Sequence, residues 1–204
     1  SGPYLIKGFK ALFLKWGEYI LIFWLIQDTL SNRQKIKNAL GVFLFAAVIT
    51  GIDCIIQRLL GVDFLRHMPI LRLNHNSYAI TSAFNYYNDF GIYLTVILAL
   101  IIALFISKQT KRSYRWILAI EGILLWWCLL LTFSRGAWLG FIYALLLMLL
   151  ISRRFKELVF FISIFIIVIV LTPAFKERGA FIFQPAGDAD RFIIWKSAMR
   201  MIKE

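Results

Sequence analysis

The sequence predicts an all-α protein: a polytopic bundle of about six transmembrane helices with an amphipathic helix on its outer face. Three observations predict it. The 204 residues are 61% hydrophobic and 17% charged, with a mean hydropathy of +0.76, whereas a soluble domain is about 45–50% apolar. Six apolar runs follow one another along the chain. The basic residues between them collect in alternate connections, the charge bias that orients membrane proteins. A content of 19 Phe, 7 Trp and 8 Tyr suits side chains that face lipid and its interface.

The runs are read at residues 11–30, 39–57, 90–107, 116–133, 137–151 and 158–173. The stretch 116–151 needs a break. As one helix it would be about 54 Å long against a hydrocarbon core of about 30 Å, so it folds back at Ser134-Arg135-Gly136 into a tight antiparallel hairpin. Residues 188–204 read as an amphipathic helix that Asp188 or Asp190 can cap. Phe192, Trp195, Ala198, Met199 and Ile202 recur there at helical spacing. Residues 1–204 together read as a single integral membrane domain, with 174–204 as the start of a periplasmic loop. Ser1-Gly2-Pro3 is no charged n-region and no cleavage site follows, so no signal peptide is read. The missing initiator Met and the stop at Glu204 inside a helical pattern predict an internal piece of a longer protein.

Orientation follows from charge. Segment 31–38 carries Arg33, Lys35 and Lys37; segment 108–115 carries Lys108, Lys111, Arg112 and Arg115; segment 152–157 carries Arg153, Arg154 and Lys156. These three are expected in the cytoplasm, which puts 58–89, the Arg135 turn and 174–204 on the opposite side. Lys7, Lys10 and Lys15 depart from the pattern and are read as lying along the interface. The same asymmetry explains the net charge of +12 without nucleic acid, which is not an expected partner.

The candidate site is Thr132-Phe133-Ser134-Arg135-Gly136-Ala137-Trp138. An arginine between two spans is costly without a partner. Ser134 can cap the following helix, whose first-turn N–H groups and dipole are then positive in character. Gly136 lets a ligand approach the backbone. Together these describe an anion site, most naturally for phosphate. The competing reading is a turn whose arginine snorkels to water, and residue chemistry leaves both open. Arg191, which opens the amphipathic helix, is the second candidate against an interfacial helix meeting lipid headgroups. Arg72, ahead of Asn74-His75-Asn76, is a further substrate-binding candidate.

Other groups read more plainly. Asp188-Ala189-Asp190 matches a carboxylate pair in only three residues, and helix capping accounts for it. His67 and His75 lack a third ligand, and Cys54 and Cys128 lie in apolar runs without ligand spacing, so neither metal nor cofactor is expected. Glu18, Asp53 and Glu121 fall within spans, where a carboxylate is a functional suspect, but each lies within reach of a span end or a basic residue (Lys15, Arg58 and Arg115), so a structural role is the preferred reading.

Three segments also resemble one family. "LLLTFSRGAWLGFIYALLLMLL" looks like the signature of the O-antigen ligase and polymerase superfamily. "SAFNYYNDFGIYL" resembles its earlier Phe-Asn-x-Asn stretch, with Tyr87 where many members have proline. "DADRFIIWKSAMRMIKE" resembles its Arg-x-x-x-Trp helix. The three stand in the family's order and cover roughly residues 72–204. The resemblance implies a metal-independent membrane glycosyltransferase in the bacterial inner membrane. It would move a glycan from undecaprenyl pyrophosphate to a glycan, lipid or protein acceptor on the periplasmic side. By motif position Arg135 and Arg191 would bind the pyrophosphate, with Ser134, Gly136 and Arg72 as further substrate contacts. The family's proposed base is a histidine later in the periplasmic loop. Neither His67 nor His75 matches it, so the base is expected beyond Glu204. The competing functions are a membrane transporter of a small anionic solute and a structural scaffold. A transporter should carry broken helices and polar sites at the membrane midplane, whereas here polar residues gather at the outer edge.

Overall fold

The computed structural model describes residues 2–74, 77–107, 110–152, 155–173 and 189–203. They form seven helices and one short hairpin: α1 (Gly2–Thr29), α2 (Arg33–Leu60), β1 (Leu71–Asn74), β2 (Ser77–Ala79), α3 (Tyr87–Ile106), α4 (Arg112–Leu131), α5 (Arg135–Ser152), α6 (Phe155–Leu171) and α7 (Ala189–Lys203). Helices α1 to α6 occupy the six apolar runs. Among the described residues, α2, α3 and α4 are long and apolar enough to cross a membrane, and Arg135–Met148 and Val159–Leu171 are shorter apolar helical stretches. Helix α1 carries Lys10, Lys15, Glu18 and Asp28, which interrupt its run. The protein is thus an all-α bundle, as composition required.

The chain divides into two units, Ser1–Ala46 and Ala47–Glu204. In the first, α1 exposes Phe13, Trp16, Phe23 and Trp24, side chains suited to lipid rather than water. Asn32 caps α2, its Oδ1 accepting the Gln34 N–H at 3.1 Å.

In the second unit α3 is the centre. Helices α4 and α5 each pack chiefly on α3 rather than on one another, and α6 packs on α5. Phe90, Leu94, Ile97, Leu98 and Ile101 bury one face of α3, meeting Leu125 and Leu129 of α4 and Trp138 and Phe141 of α5 in the core. The sequence expectation of a tight α4–α5 hairpin is therefore corrected. The chain does reverse there, but α3 takes the intervening contacts because Gly91 removes the side chain that would hold α5 off. A Cβ on Gly91 would meet the Ala137 Cβ at 2.7 Å and the Ser134 Cβ at 3.1 Å. Gly51 plays the same part between α2 and α4, where a Cβ would meet Leu125 Cδ2 at 2.8 Å.

The described residues between 61 and 86 form more than a plain connection. Gly61, at φ 80°, ends α2 in the left-handed region that glycine enters freely, and its N–H bonds to the Gln57 carbonyl at 2.9 Å. An antiparallel pair then forms, with Leu71 opposite Ala79 and Arg72 opposite Tyr78. Just past its return strand, the Ile80 N–H bonds to the Leu131 carbonyl at the end of α4 at 3.2 Å. This segment therefore covers the end of the bundle where α2 and α4 finish and α3 and α5 begin.

Two polar side chains of α2 hold it there. Asp53 and Gln57 are four residues apart, on one helix face. The Asp53 carboxylate accepts from the Phe64 N–H at 2.6 Å, the Leu65 N–H at 3.2 Å and the Ser82 hydroxyl at 2.7 Å. Gln57 Oε1 accepts the Thr81 and Ser82 N–H groups at 3.0 and 2.9 Å, while its Nε2 donates to the Met68 carbonyl at 3.2 Å. Both side chains are buried. Three hydrogen-bond donors satisfy Asp53, as a buried carboxylate requires, and give it a structural role. Arg115 Nη2 donates to the Ser107 carbonyl at 2.9 Å, and Glu121, buried on α4, has no hydrogen-bond partner for Oε1 among the described residues.

Candidate functional site

The site is built where α4 gives way to α5. Helix α4 ends because Thr132 turns its hydroxyl back onto the Leu129 carbonyl at 2.7 Å and the next residue leaves helical geometry. That residue, Phe133, sits at φ 53°. A bulky residue in the left-handed region is strained and persists only where its surroundings fix it. Here burial does so: Phe133 is 6% exposed, and its ring lies 6.4 Å from the fully buried Trp138 indole. The indole Nε1 in turn donates to the Leu129 carbonyl at 3.0 Å. The reversal is thus clamped from both helices.

The turn comprises Thr132, Phe133 and Ser134, so Arg135 and Gly136 are not in it, as the sequence reading placed them, but in the first turn of α5. The reason is the cap. Ser134 Oγ accepts the Ala137 N–H at 3.4 Å, and the Ser134 carbonyl accepts the Trp138 N–H at 3.0 Å. Ser134 is the N-cap that its residue type predicted, and helical geometry begins one residue later. Arg135 is half-buried at that start. Gly136 is exposed, and a Cβ there would meet nothing within 4 Å. The fold therefore makes no demand for glycine at 136, in contrast to 91.

Other sequence-predicted residues are placed less closely. Arg72 lies in β1, exposed, on the segment that covers this end of the bundle. Arg191 lies in the first turn of α7, an amphipathic helix as expected, but its side chain falls outside the described residues, as do His75, Asp188 and the stretch 174–188. Ser134, Arg135 and Gly136 are together; the position of the Arg191 guanidinium relative to them is not described.

Sequence reasoning missed three contributors. Asn88, in the first turn of α3, accepts the Ser134 hydroxyl on Oδ1 at 2.8 Å. Gly91 brings the starts of α3 and α5 together. Thr95 ties the seam one turn further in, its hydroxyl lying 2.9 Å from the Gly91 carbonyl and 3.1 Å from the Ala137 carbonyl. The Asn88-x-x-Gly91-x-x-x-Thr95 spacing along one face of α3 was the available signal. Replacing Gly91 with Ala should lower the unfolding midpoint of the detergent-solubilised protein by several degrees, at a cost of about 1–3 kcal/mol for overpacking. An unchanged midpoint would show that the helices separate freely.

Chemically, the first turn of a capped helix and a guanidinium can hold an oxyanion. Comparison with known families bears on what that anion is. The profile described as O-antigen ligase matches residues 120–204, a stretch that contains α5 and α7 with both arginines. No curated protein and no solved structure matches the chain.

Proposed function

We propose, on the match of residues 120–204 to the O-antigen ligase family, that the protein is a membrane glycosyltransferase that moves a glycan from undecaprenyl pyrophosphate to an acceptor on the periplasmic side of the bacterial inner membrane. The acceptor is a second glycan, a lipid or a protein hydroxyl. Arg135 and Arg191 bind the pyrophosphate, with Ser134, Gly136 and Arg72 as substrate contacts.

One observation carries this reading. Within the matched stretch, Arg135 opens a helix whose cap is buried and hydrogen-bonded, at the end of the bundle away from Lys111, Arg112 and Lys156. That charge bias supports a periplasmic position for the site. The chemistry follows from charge. As the bond from the glycan anomeric carbon to the pyrophosphate oxygen breaks, the leaving group gains negative charge. Guanidinium groups and helix N–H donors then bind the transition state more tightly than the donor. The acceptor hydroxyl supplies the new bond and loses its proton to a base, which is expected beyond Glu204.

The transporter reading is less well supported. Among the described residues, α3 to α6 are continuous helices. A cavity of about 740 Å³ between α3, α4 and α6 is lined by apolar side chains such as Leu98, Phe105, Trp126 and Phe161, with Lys156 at its margin. Such a lining offers no polar route for an anion. The test is reconstitution of the full-length protein in vesicles with a polyprenyl-pyrophosphate-linked glycan and a mixture of acceptors. Transfer of glycan with release of the polyprenyl pyrophosphate is the expected result. Uptake of a small anion without any glycan transfer would reverse the assignment.

A further inference from the structure

The hydrogen bond between Ser134 and Asn88 has a consequence for the unused half of the Asn88 amide. Oδ1 is committed: it accepts the Ser134 hydroxyl at 2.8 Å while Ser134 Oγ accepts the Ala137 N–H. An amide whose oxygen is fixed on one side presents its two N–H donors on the other. Among the described residues none takes a hydrogen bond from the Asn88 Nδ2. Nor is that nitrogen among the buried, unsatisfied polar atoms. It therefore keeps accessible surface at the seam of α3 and α5, on a side chain that is itself half-buried.

The seam is rigid. Gly91 packs against Ala137 and Ser134, and Thr95 bridges to the Ala137 carbonyl. A donor pair locked in this way costs little entropy when it binds. Across the seam, Ser134, which holds the Asn88 oxygen, is followed directly by Arg135. We propose that Asn88 is a direct binding residue for the donor's phosphate oxygens, its Nδ2 donating beside the Arg135 guanidinium. This rests on the reading of Arg135 given above.

A purely structural role for Asn88 makes the opposite prediction for one substitution. Asn88→Asp keeps the oxygen that accepts from Ser134 and adds a negative charge in the first turn of α3, where helix dipoles favour it. Structure alone therefore predicts a protein at least as stable as wild type. A phosphate contact predicts a severe defect, because two donors become a carboxylate facing an anion.

The experiment compares Asn88→Asp, Asn88→Ala and Arg135→Ala in the full-length protein, using transfer from a lipid-pyrophosphate-linked glycan and thermal unfolding in the same detergent. Asn88→Asp should unfold at or above the wild-type midpoint and lose about 100-fold or more in kcat/KM, with KM for the lipid-linked donor raised and KM for the acceptor unchanged. Asn88→Ala should be the milder of the two in activity and the worse in stability. Wild-type turnover in Asn88→Asp overturns the inference. So does an activity loss that tracks a fall in its unfolding midpoint, or one confined to the acceptor KM. The two proposals fail separately. Loss in Arg135→Ala with full activity in Asn88→Asp removes Asn88 alone. Full activity in Arg135→Ala removes the Arg135 reading and, with it, the phosphate contact placed beside it.

Discussion

Replacing Arg135 with Ala in the full-length protein should reduce glycan transfer on the order of 10²- to 10³-fold, the usual effect of deleting one donor aimed at a developing oxyanion. The helix start should survive the change, because Ser134 caps α5 and the Phe133 and Trp138 packing anchors the turn. Membrane insertion should therefore stay near wild type. Arg135→Lys should recover little, since an ammonium cannot make the paired hydrogen bonds by which a guanidinium holds phosphate. Arg191→Ala should show a loss of the same order, and the double variant should lose less than the product of the two, because both residues would serve one pyrophosphate. Transfer assays at saturating donor read this directly. Wild-type turnover in both single variants would refute the pyrophosphate assignment.

The second large effect is expected far from that arginine. Asp53→Ala removes an acceptor shared by the Phe64 N–H, the Leu65 N–H and the Ser82 hydroxyl. Losing hydrogen bonds to a charged, buried acceptor and leaving donors unmade costs about 2–4 kcal/mol. The cost falls on segment 61–86, which α2 holds through this residue and Gln57. That segment should become a site of protease cleavage in membranes, and the unfolding midpoint should drop. Asp53→Asn should be milder, because its oxygen still accepts from both backbone N–H groups and its amide can donate to Ser82 Oγ. Transfer should fall in Asp53→Ala as Arg72, carried on the segment, loses its place. Should cleavage and unfolding both match wild type, the carboxylate does not hold the segment.

The sequence by itself determined the class of the protein. An apolar content of 61% and runs at the length of a bilayer leave helices as the structure that satisfies the backbone in lipid, and each run became a helix. Ser134 was legible as a cap because capping is local: a hydroxyl beside the first free N–H groups of its own helix. The amphipathic helix that carries Arg191 was legible from spacing for the same reason. The exact turn was not. Placing it at Thr132 to Ser134 depended on Phe133 accepting a strained φ of 53°, which only its burial against Trp138 sustains. Nor did proximity in sequence identify the partners of charged groups. Arg58 and Arg115 were the near choices for Asp53 and Glu121, yet Asp53 is satisfied by residues 64, 65 and 82, and Arg115 turns to the Ser107 carbonyl. Those contacts join residues brought together by chain reversals, which local periodicity does not encode. Asn88 belongs to the same group: its role came into view only when Gly91 let α3 and α5 close on Ser134. Local rules fix which residues begin and end helices, while the donors and acceptors that meet at the bundle's end are chosen by the packing of helices far apart in the chain.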